Sequence, residues 1–250
     1  MNFELNEEER YLAAHIADLQ RISARSGVPR FSAFLNEREA AVAECAVKGH
    51  PVFYGGYDGA SRKICGFFED TYAEEMPKED LFPVRAVTFR FRKCDMPSHR
   101  DFLGAIMGLE IKRELVGDIL VAEDYALVFC HENAEDLIYH LGMVGRVGLI
   151  AEKGITEPIP AVATKKIETT VSSLRLDCIV SAAANVSREK SASLIRSGLV
   201  NADFSPCLNV SAEVRENTVI SIRGSGRYRL SEIRGTSAKG RIRVVIDKYI

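Results

Sequence analysis

The sequence predicts an α+β protein built from three consecutive units, and three observations carry that prediction. Apolar spacing changes along the chain between a helical and a strand period. Residues 81–151 lay out these periods in the order β-α-β-β-α-β. Charge is also split: residues 172–250 hold 13 Lys+Arg against 7 Asp+Glu, a net of +6, while residues 1–171 hold 20 against 28, a net of −8. With 250 residues, 46% of them hydrophobic, the chain has the material for two or three packed cores.

The first unit, residues 1–76, is a small α/β segment. Asn6 with Glu9 and Asn36 with Glu39 each place an N-cap three residues before a back-bonding acid, so each opens a helix. Leu12, Ile16 and Leu19 continue the first at helical spacing, and Ala40, Ala43 and Val47 the second. Pro51-Val-Phe-Tyr and Lys63-Ile-Cys-Gly-Phe-Phe then flank a glycine-rich turn, Gly55 to Gly59, as a hairpin. No Gly-Lys-Ser/Thr follows it, so the turn is not a phosphate loop. The polar stretch Tyr72 to Asp80 marks a boundary.

In the second unit, residues 77–160, Val84 to Phe91 alternates as a strand. Ser98 caps a helix whose Phe102, Leu103, Ile106 and Leu109 share a face, and Leu115–Val121 and Tyr125–Cys130 form two more strands. Ala134, Leu137, Ile138 and Leu141 give a second helix, and Arg146–Ala151 a fourth strand. This is the split βαβ order of ferredoxin-like folds, common to RNA-recognition domains and to many proteins that touch no RNA. Phe89 and Phe91 alternate as half of a base-stacking platform, or equally as core residues. The stretch from Glu157-Pro-Ile-Pro-Ala to Thr170 is the second boundary.

The third unit, residues 172–250, carries the positive charge, the footprint of a phosphate-binding surface. Leu176, Ile179, Val180 and Ala183 form the core face of a helix that begins near Leu174 and leaves Arg175 outside it. Ser187 caps a second helix, in which Ala192, Ile195 and Leu199 face inward while Lys190, Ser193, Arg196 and Ser197 project outward; Gly198 stops it. Short strands follow, and between them lies a loop, Arg223-Gly-Ser-Gly-Arg-Tyr-Arg-Leu230. In it Arg223, Arg227 and Arg229 can grip phosphates and Tyr228 can stack on a base.

Ser173-Leu-Arg-Leu-Asp177, then Ser187 through Asn201, then Val219-Ile-Ser-Ile-Arg-Gly-Ser-Gly-Arg-Tyr228, resemble in order and spacing the S-four RNA-binding domain, whose fold is called alpha-L. The resemblance implies that two short helices lie on structured RNA, with Arg175, Ser187, Arg188, Lys190 and Arg196 at the contact. Asn201-Ala-Asp203 and Asn217-Thr218 replace the family's Asn-Gly and Gly-Asp turns. The segment from Ser98-His-Arg-Asp-Phe-Leu-Gly-Ala to Ile119, with Arg30-Phe-Ser-Ala-Phe-Leu35, is similar to the YlmH family, in which an N-terminal region and an RNA-recognition-like domain precede the S-four domain. Glu110 stands where that pattern has glycine. The resemblance implies binding to the large ribosomal subunit, both rRNA and peptidyl-tRNA, in ribosome-associated quality control.

His99, Arg100 and Asp101 in a row invite a catalytic reading, but adjacent helical residues do not face one another. Ser98-x-x-Asp101 reads as a capping box, which leaves His99 and Arg100 as candidates for phosphate contact. There is no Walker loop, nucleophile elbow, dinucleotide fingerprint or metal-ligand cluster, so the expectation is a non-enzymatic RNA binder without cofactor or metal. The alternatives are an RNA-modifying enzyme of pseudouridine-synthase type carrying the same basic module, and a cell-division interaction protein whose acidic N-terminal segment docks a protein partner. Six dispersed cysteines read as reduced fillers. An acidic start and the lack of an eighteen-residue apolar run point to a cytoplasmic protein with no membrane partner.

Overall fold

The computed structural model describes residues 5–49, 51–68, 77–160, 164–237 and 240–249. The chain divides into two compact units, Met1–Pro160 and Ala161–Ile250.

Both asparagine caps are formed. Asn6 accepts from the Glu9 amide at 2.8 Å and its own amide donates to the Glu9 carboxylate at 3.1 Å, opening helix α1 (Glu7–Ser26); Asn36 and Glu39 repeat the arrangement at 2.9 and 2.6 Å for α2 (Glu37–Ala46). Between the helices runs a strand the sequence reading did not foresee, β1 (Arg30–Leu35). It pairs antiparallel with β3 (Lys63–Phe67), which pairs with β2 (Val52–Tyr54) across the glycine-rich turn. One face of this sheet buries Leu35, Cys65 and Phe67 with Ile16 and Ala43 of the helices.

The rest of the first unit follows the expected order. β4 (Val84–Arg90), α3 (His99–Met107), β5 (Val116–Val121), β6 (Tyr125–His131), α4 (Glu132–Tyr139) and β9 (Ile150–Lys153) form an antiparallel sheet in the order β5-β6-β4-β9 with its two helices. The fourth strand comes later than 146–151 because Met143–Val144 (β7) and Val147–Gly148 (β8) first close a hairpin of their own. Leu137, expected in the core, is 55% exposed, since Ala134 and Ile138 already fill the inner face of α4. Of the Tyr72–Asp80 boundary, residues 72–76 lie outside the described residues.

Both faces of the four-stranded sheet are buried. Val87, Phe89, Val128 and Cys130 face α3 and α4, while Val84, Ala86, Leu127 and Phe129 alternate with them and pack against Phe34, Ile64 and Phe82. The N-terminal sheet thus covers the helix-free face, the one that RNA-recognition domains turn to their bases. Phe89 and Phe91 are core residues packed on Phe102, at centroid distances of 5.8 and 6.1 Å. The stacking-platform reading therefore gives way to the packing one.

Gly56 sits against this core at φ +100°, and a Cβ there would come within 2.3 Å of the Phe129 ring and 3.1 Å of Val84. Left-handed strain and overpacking together predict that Gly56→Ala costs about 2–4 kcal/mol. Gly59→Ala, at φ +87° with open space around it, suffers only the conformational part. Urea unfolding of the two variants side by side checks this, and equal midpoints would contradict it.

In the second unit, residues 164–171, read from sequence as a connector, form strand β10 (Thr164–Val171). Helices α5 (Leu176–Ala184) and α6 (Arg188–Arg196) follow, then β11 (Val200–Ala202), β12 (Ser205–Pro206), β13 (Val219–Ile222), β14 (Gly226–Thr236) and β15 (Ile242–Tyr249). The antiparallel sheet has the order β10-β15-β14-β13-β11-β12. Its core joins Leu176, Ile179, Val180 and Ile195 of the helices to Ile220, Ile222, Tyr228, Leu230, Val244 and Ile246 of the strands. Glu110 and Asn217, standing where the family patterns have glycine, adopt φ +60° and +68°, and Asp203 in the third altered turn adopts +45°. The left-handed turns survive without glycine, and asparagine and aspartate tolerate them best.

Candidate nucleic-acid interface

The cations of the helix pair are organised by an acid. Asp177, in the first turn of α5, is 4% exposed. Its Oδ1 accepts from Arg175 Nε at 3.1 Å, and its Oδ2 accepts from Arg175 Nη2 at 3.3 Å and Arg188 Nη2 at 2.6 Å. Arg188 also donates through Nη1 to Ser172 Oγ at 3.2 Å. Both arginine side chains keep about half their surface open to solvent. The buried Ser191 hydroxyl donates to the Asp177 carbonyl at 2.8 Å and locks α6 onto α5. Ser187 caps α6 as expected, accepting from the Lys190 amide at 3.2 Å. Lys190, Ser193 and Arg196 recur every three residues on the exposed side of α6. Among the described residues neither Lys190 nor Arg196 has an ion-pair partner, so their charge is available to a ligand.

Burial would raise the Asp177 carboxyl, but hydrogen bonds and charge from Arg175 and Arg188 outweigh it and hold the group below its ordinary value. A depressed folded value gives stability that is present above the unfolded value, about 3.9 for aspartate, and lost as pH falls through the folded one. The stability advantage of the wild-type chain over Asp177→Asn should therefore stay level from pH 7 to 5 and shrink below about 4. Urea unfolding across that range checks it; an advantage that grows on acidification would contradict it.

The expected loop 223–230 is largely strand, and this redistributes its residues. The turn itself spans only Arg223 to Ser225, with Gly224 at φ +80° and Gly226, the first residue of β14, at +121°. Arg223 is exposed, and its amide donates to the Leu199 carbonyl at 2.9 Å, which sets it beside the end of α6. Tyr228 is 1% exposed, lies in the core beneath the helices, and shares a hydrogen bond of 2.8 Å between its hydroxyl and Ser225 Oγ. It cannot stack on a base, and that expectation is corrected. Strand side chains alternate, so Arg227 and Arg229 point to the opposite face of the sheet from Tyr228 and Leu230. Arg227 lies over the rings of Phe204 and Tyr249, at 5.2 and 5.3 Å, and Arg229 donates to Asp247 at 3.0 Å. Arg227 and Arg229 therefore belong to a different face of this unit from Arg175, Arg188, Lys190 and Arg196.

In the first unit, Ser98 and Asp101 form the expected capping box: the Asp101 carboxylate accepts from the Ser98 amide at 2.8 Å and from its hydroxyl at 2.7 Å. Asp101 is engaged in capping and does not orient His99. Arg100 is exposed. Burial lowers the His99 pKa from its ordinary value and the Arg113 charge lowers it further, against the opposing effect of Asp118. Sequence reading missed the surroundings of His99. Arg62 Nε, at 2.9 Å, and Arg113 Nη1 donate to the same Val116 carbonyl, and Asp118 accepts from Tyr57 at 2.8 Å and from the amides of Ser61 and Arg62. Positions more than fifty residues apart give no local signal of such a cluster. Asp177 had a signal, its place two residues after Arg175, but as a charge opposite to the surface it decorates it was passed over.

Burial pushes the thiols of Cys65 and Cys130 up to about 12, as befits inert core fillers. Among the described residues no group of three metal-ligating side chains occurs, and no helix is long and apolar enough to cross a membrane.

Fold and site define an α+β protein of two units, the second displaying a cationic helix pair. Residues 77–153 match the family described as "Putative RNA-binding domain in YlmH". The chain is 32% identical over 249 residues, 96% of its own length and 95% of the relative's, to the ribosome-associated protein quality control protein P2 of Bacillus subtilis (strain 168). It belongs to the YlmH family. The solved structure of the cell division protein ylmH from Streptococcus pneumoniae shares its fold, with a TM-score of 0.54 at 19% identity over 64% of this chain and 99% of that one.

Proposed function

We propose that this protein is a non-enzymatic RNA-binding factor that engages the large ribosomal subunit, through rRNA and peptidyl-tRNA, in the quality control of stalled translation. The observation that carries the proposal is the helix pair of the second unit, where Arg175 and Arg188 are held on one buried carboxylate beside the exposed Lys190 and Arg196. Half-exposed guanidiniums in a fixed arrangement suit phosphates, which accept charge-assisted hydrogen bonds in pairs. The name of the Bacillus subtilis relative and the RNA-binding family matched by residues 77–153 point the same way.

In this reading the second unit is the S-four-type domain, with Arg223 extending its surface past the end of α6. The four-stranded sheet of the first unit is the RNA-recognition-like domain. Its usual base-reading face lies under Phe34, Ile64 and Phe82, so it meets RNA from the α3 side, through His99 and Arg100. Because their partners lie on the other face of the sheet, Arg227 and Arg229 take a secondary part. The protein needs no cofactor for this, works in the cytoplasm and does not address a membrane.

Co-sedimentation of the full chain with purified large and small ribosomal subunits tests the proposal. Pelleting with large subunits at low salt and release as salt rises is the expected result. Failure to pellet with large subunits at about 50 mM salt, where phosphate contacts are strongest, would overturn it.

A further inference from the structure

We infer that Asp177 is a positioning residue of the RNA-binding surface, an acidic side chain that strengthens binding to a polyanion by aiming two arginines at its phosphates. The inference rests on the RNA-binding reading given above. Its geometric basis is that one carboxylate takes three hydrogen bonds from two guanidiniums, at 2.6 to 3.3 Å, while its own main chain receives the hydroxyl that anchors α6. Each guanidinium has five N–H donors. Asp177 takes three of the ten and Ser172 one, so six remain for a ligand, with the planes of both groups already set.

Two opposing effects decide the sign. A carboxylate roughly 8 Å from a bound phosphate, in a water-like medium, repels it enough to weaken binding by about twofold. An arginine that must be immobilised at the moment of binding weakens it by about two- to tenfold, and here there are two. Positioning therefore outweighs repulsion. Asp177 also occupies the first turn of α5, where the helix dipole favours negative charge, so its ionised form is stable in the free protein.

The test measures binding of the full chain to purified large ribosomal subunits across a salt series, for wild type, Asp177→Asn and Tyr228→Phe. Asp177→Asn removes a negative charge from a cationic surface, so a pure charge model predicts tighter binding and a steeper salt dependence. Positioning predicts binding about 5- to 20-fold weaker at ~100 mM salt, together with loss of the protected Arg175 Nε–H signal in arginine-selective NMR of the free protein. Tyr228→Phe, which weakens the same core without touching the arginines, should bind as wild type and so separates positioning from general loss of stability. Equal or tighter binding by Asp177→Asn overturns the inference. If that variant does not fold, Ser172→Ala, which releases Arg188 Nη1 and otherwise gives up only a weak contact with Cys178 Sγ at 3.4 Å, takes its place with an expected loss of about twofold, and unchanged binding then overturns it. No binding by the wild-type chain at low salt would instead remove the RNA-binding reading, and the inference with it.

Discussion

Replacing Arg188 and Lys190 together with alanine should weaken binding to large ribosomal subunits by about tenfold or more and flatten its dependence on salt. The structure leaves Arg175, Arg188, Lys190, Arg196 and Arg223 on the side of the helix pair, roughly five phosphate contacts, and counterion release then gives a slope of log affinity against log salt of about −4. Removing two of the five should lower its magnitude by about one to two. The double variant should still fold. Among the described residues the Lys190 side chain makes no ion pair, and Asp177 keeps both hydrogen bonds from Arg175 when Arg188 is gone, so the cost to stability is about 1–3 kcal/mol, that of one charge-assisted bond to a buried carboxylate. Filter binding or sedimentation between 50 and 300 mM salt, with urea unfolding as the control, measures both quantities. An unchanged slope would move the contact surface away from α6.

The largest effect on stability is expected at Tyr228. Its ring is buried among Leu176, Ile220 and Leu230, and truncation to alanine should cost about 3–5 kcal/mol, a large share of the 5–15 kcal/mol that stabilises a typical domain. The second unit would then be substantially unfolded near physiological temperature, and RNA binding would go with it. Tyr228→Phe isolates the hydroxyl. It loses the bond to Ser225, about 1 kcal/mol, while keeping the packing and RNA affinity intact. A base-stacking tyrosine would behave otherwise, since alanine would cut affinity and leave stability untouched. Chemical denaturation of both variants beside RNA titration distinguishes the two roles.

The difference between these two sites shows which features a linear reading can reach. Ser187 caps α6, and Lys190 and Arg196 lie on its exposed side, as the local spacing predicts, because a cap, a helical period and a glycine stop are each fixed by residues three or four apart. Tyr228 was misplaced for a related reason. Gly224 and Gly226 announced a turn, but a turn signal does not say where the strand resumes, and one residue of uncertainty decides which face each side chain takes. Once β14 begins at Gly226, Tyr228 must point with Leu230 into the core, and the arginines on either side must point away.

By itself, the sequence determined what arises between near neighbours: the caps at Asn6, Asn36, Ser98 and Ser187, the β-α-β-β-α-β order of the middle of the chain, and the gathering of positive charge in its last eighty residues. Only the tertiary structure decided that β10 completes the second sheet, that the N-terminal sheet covers the helix-free face of the middle sheet while Phe89 and Phe91 pack beneath α3 on the other, and that Asp177 gathers two arginines. Those outcomes depend on which strand pairs with which and on what fills the space above a sheet. Such contacts are made between residues tens of positions apart, and their free energy is set by mutual burial that no local pattern encodes.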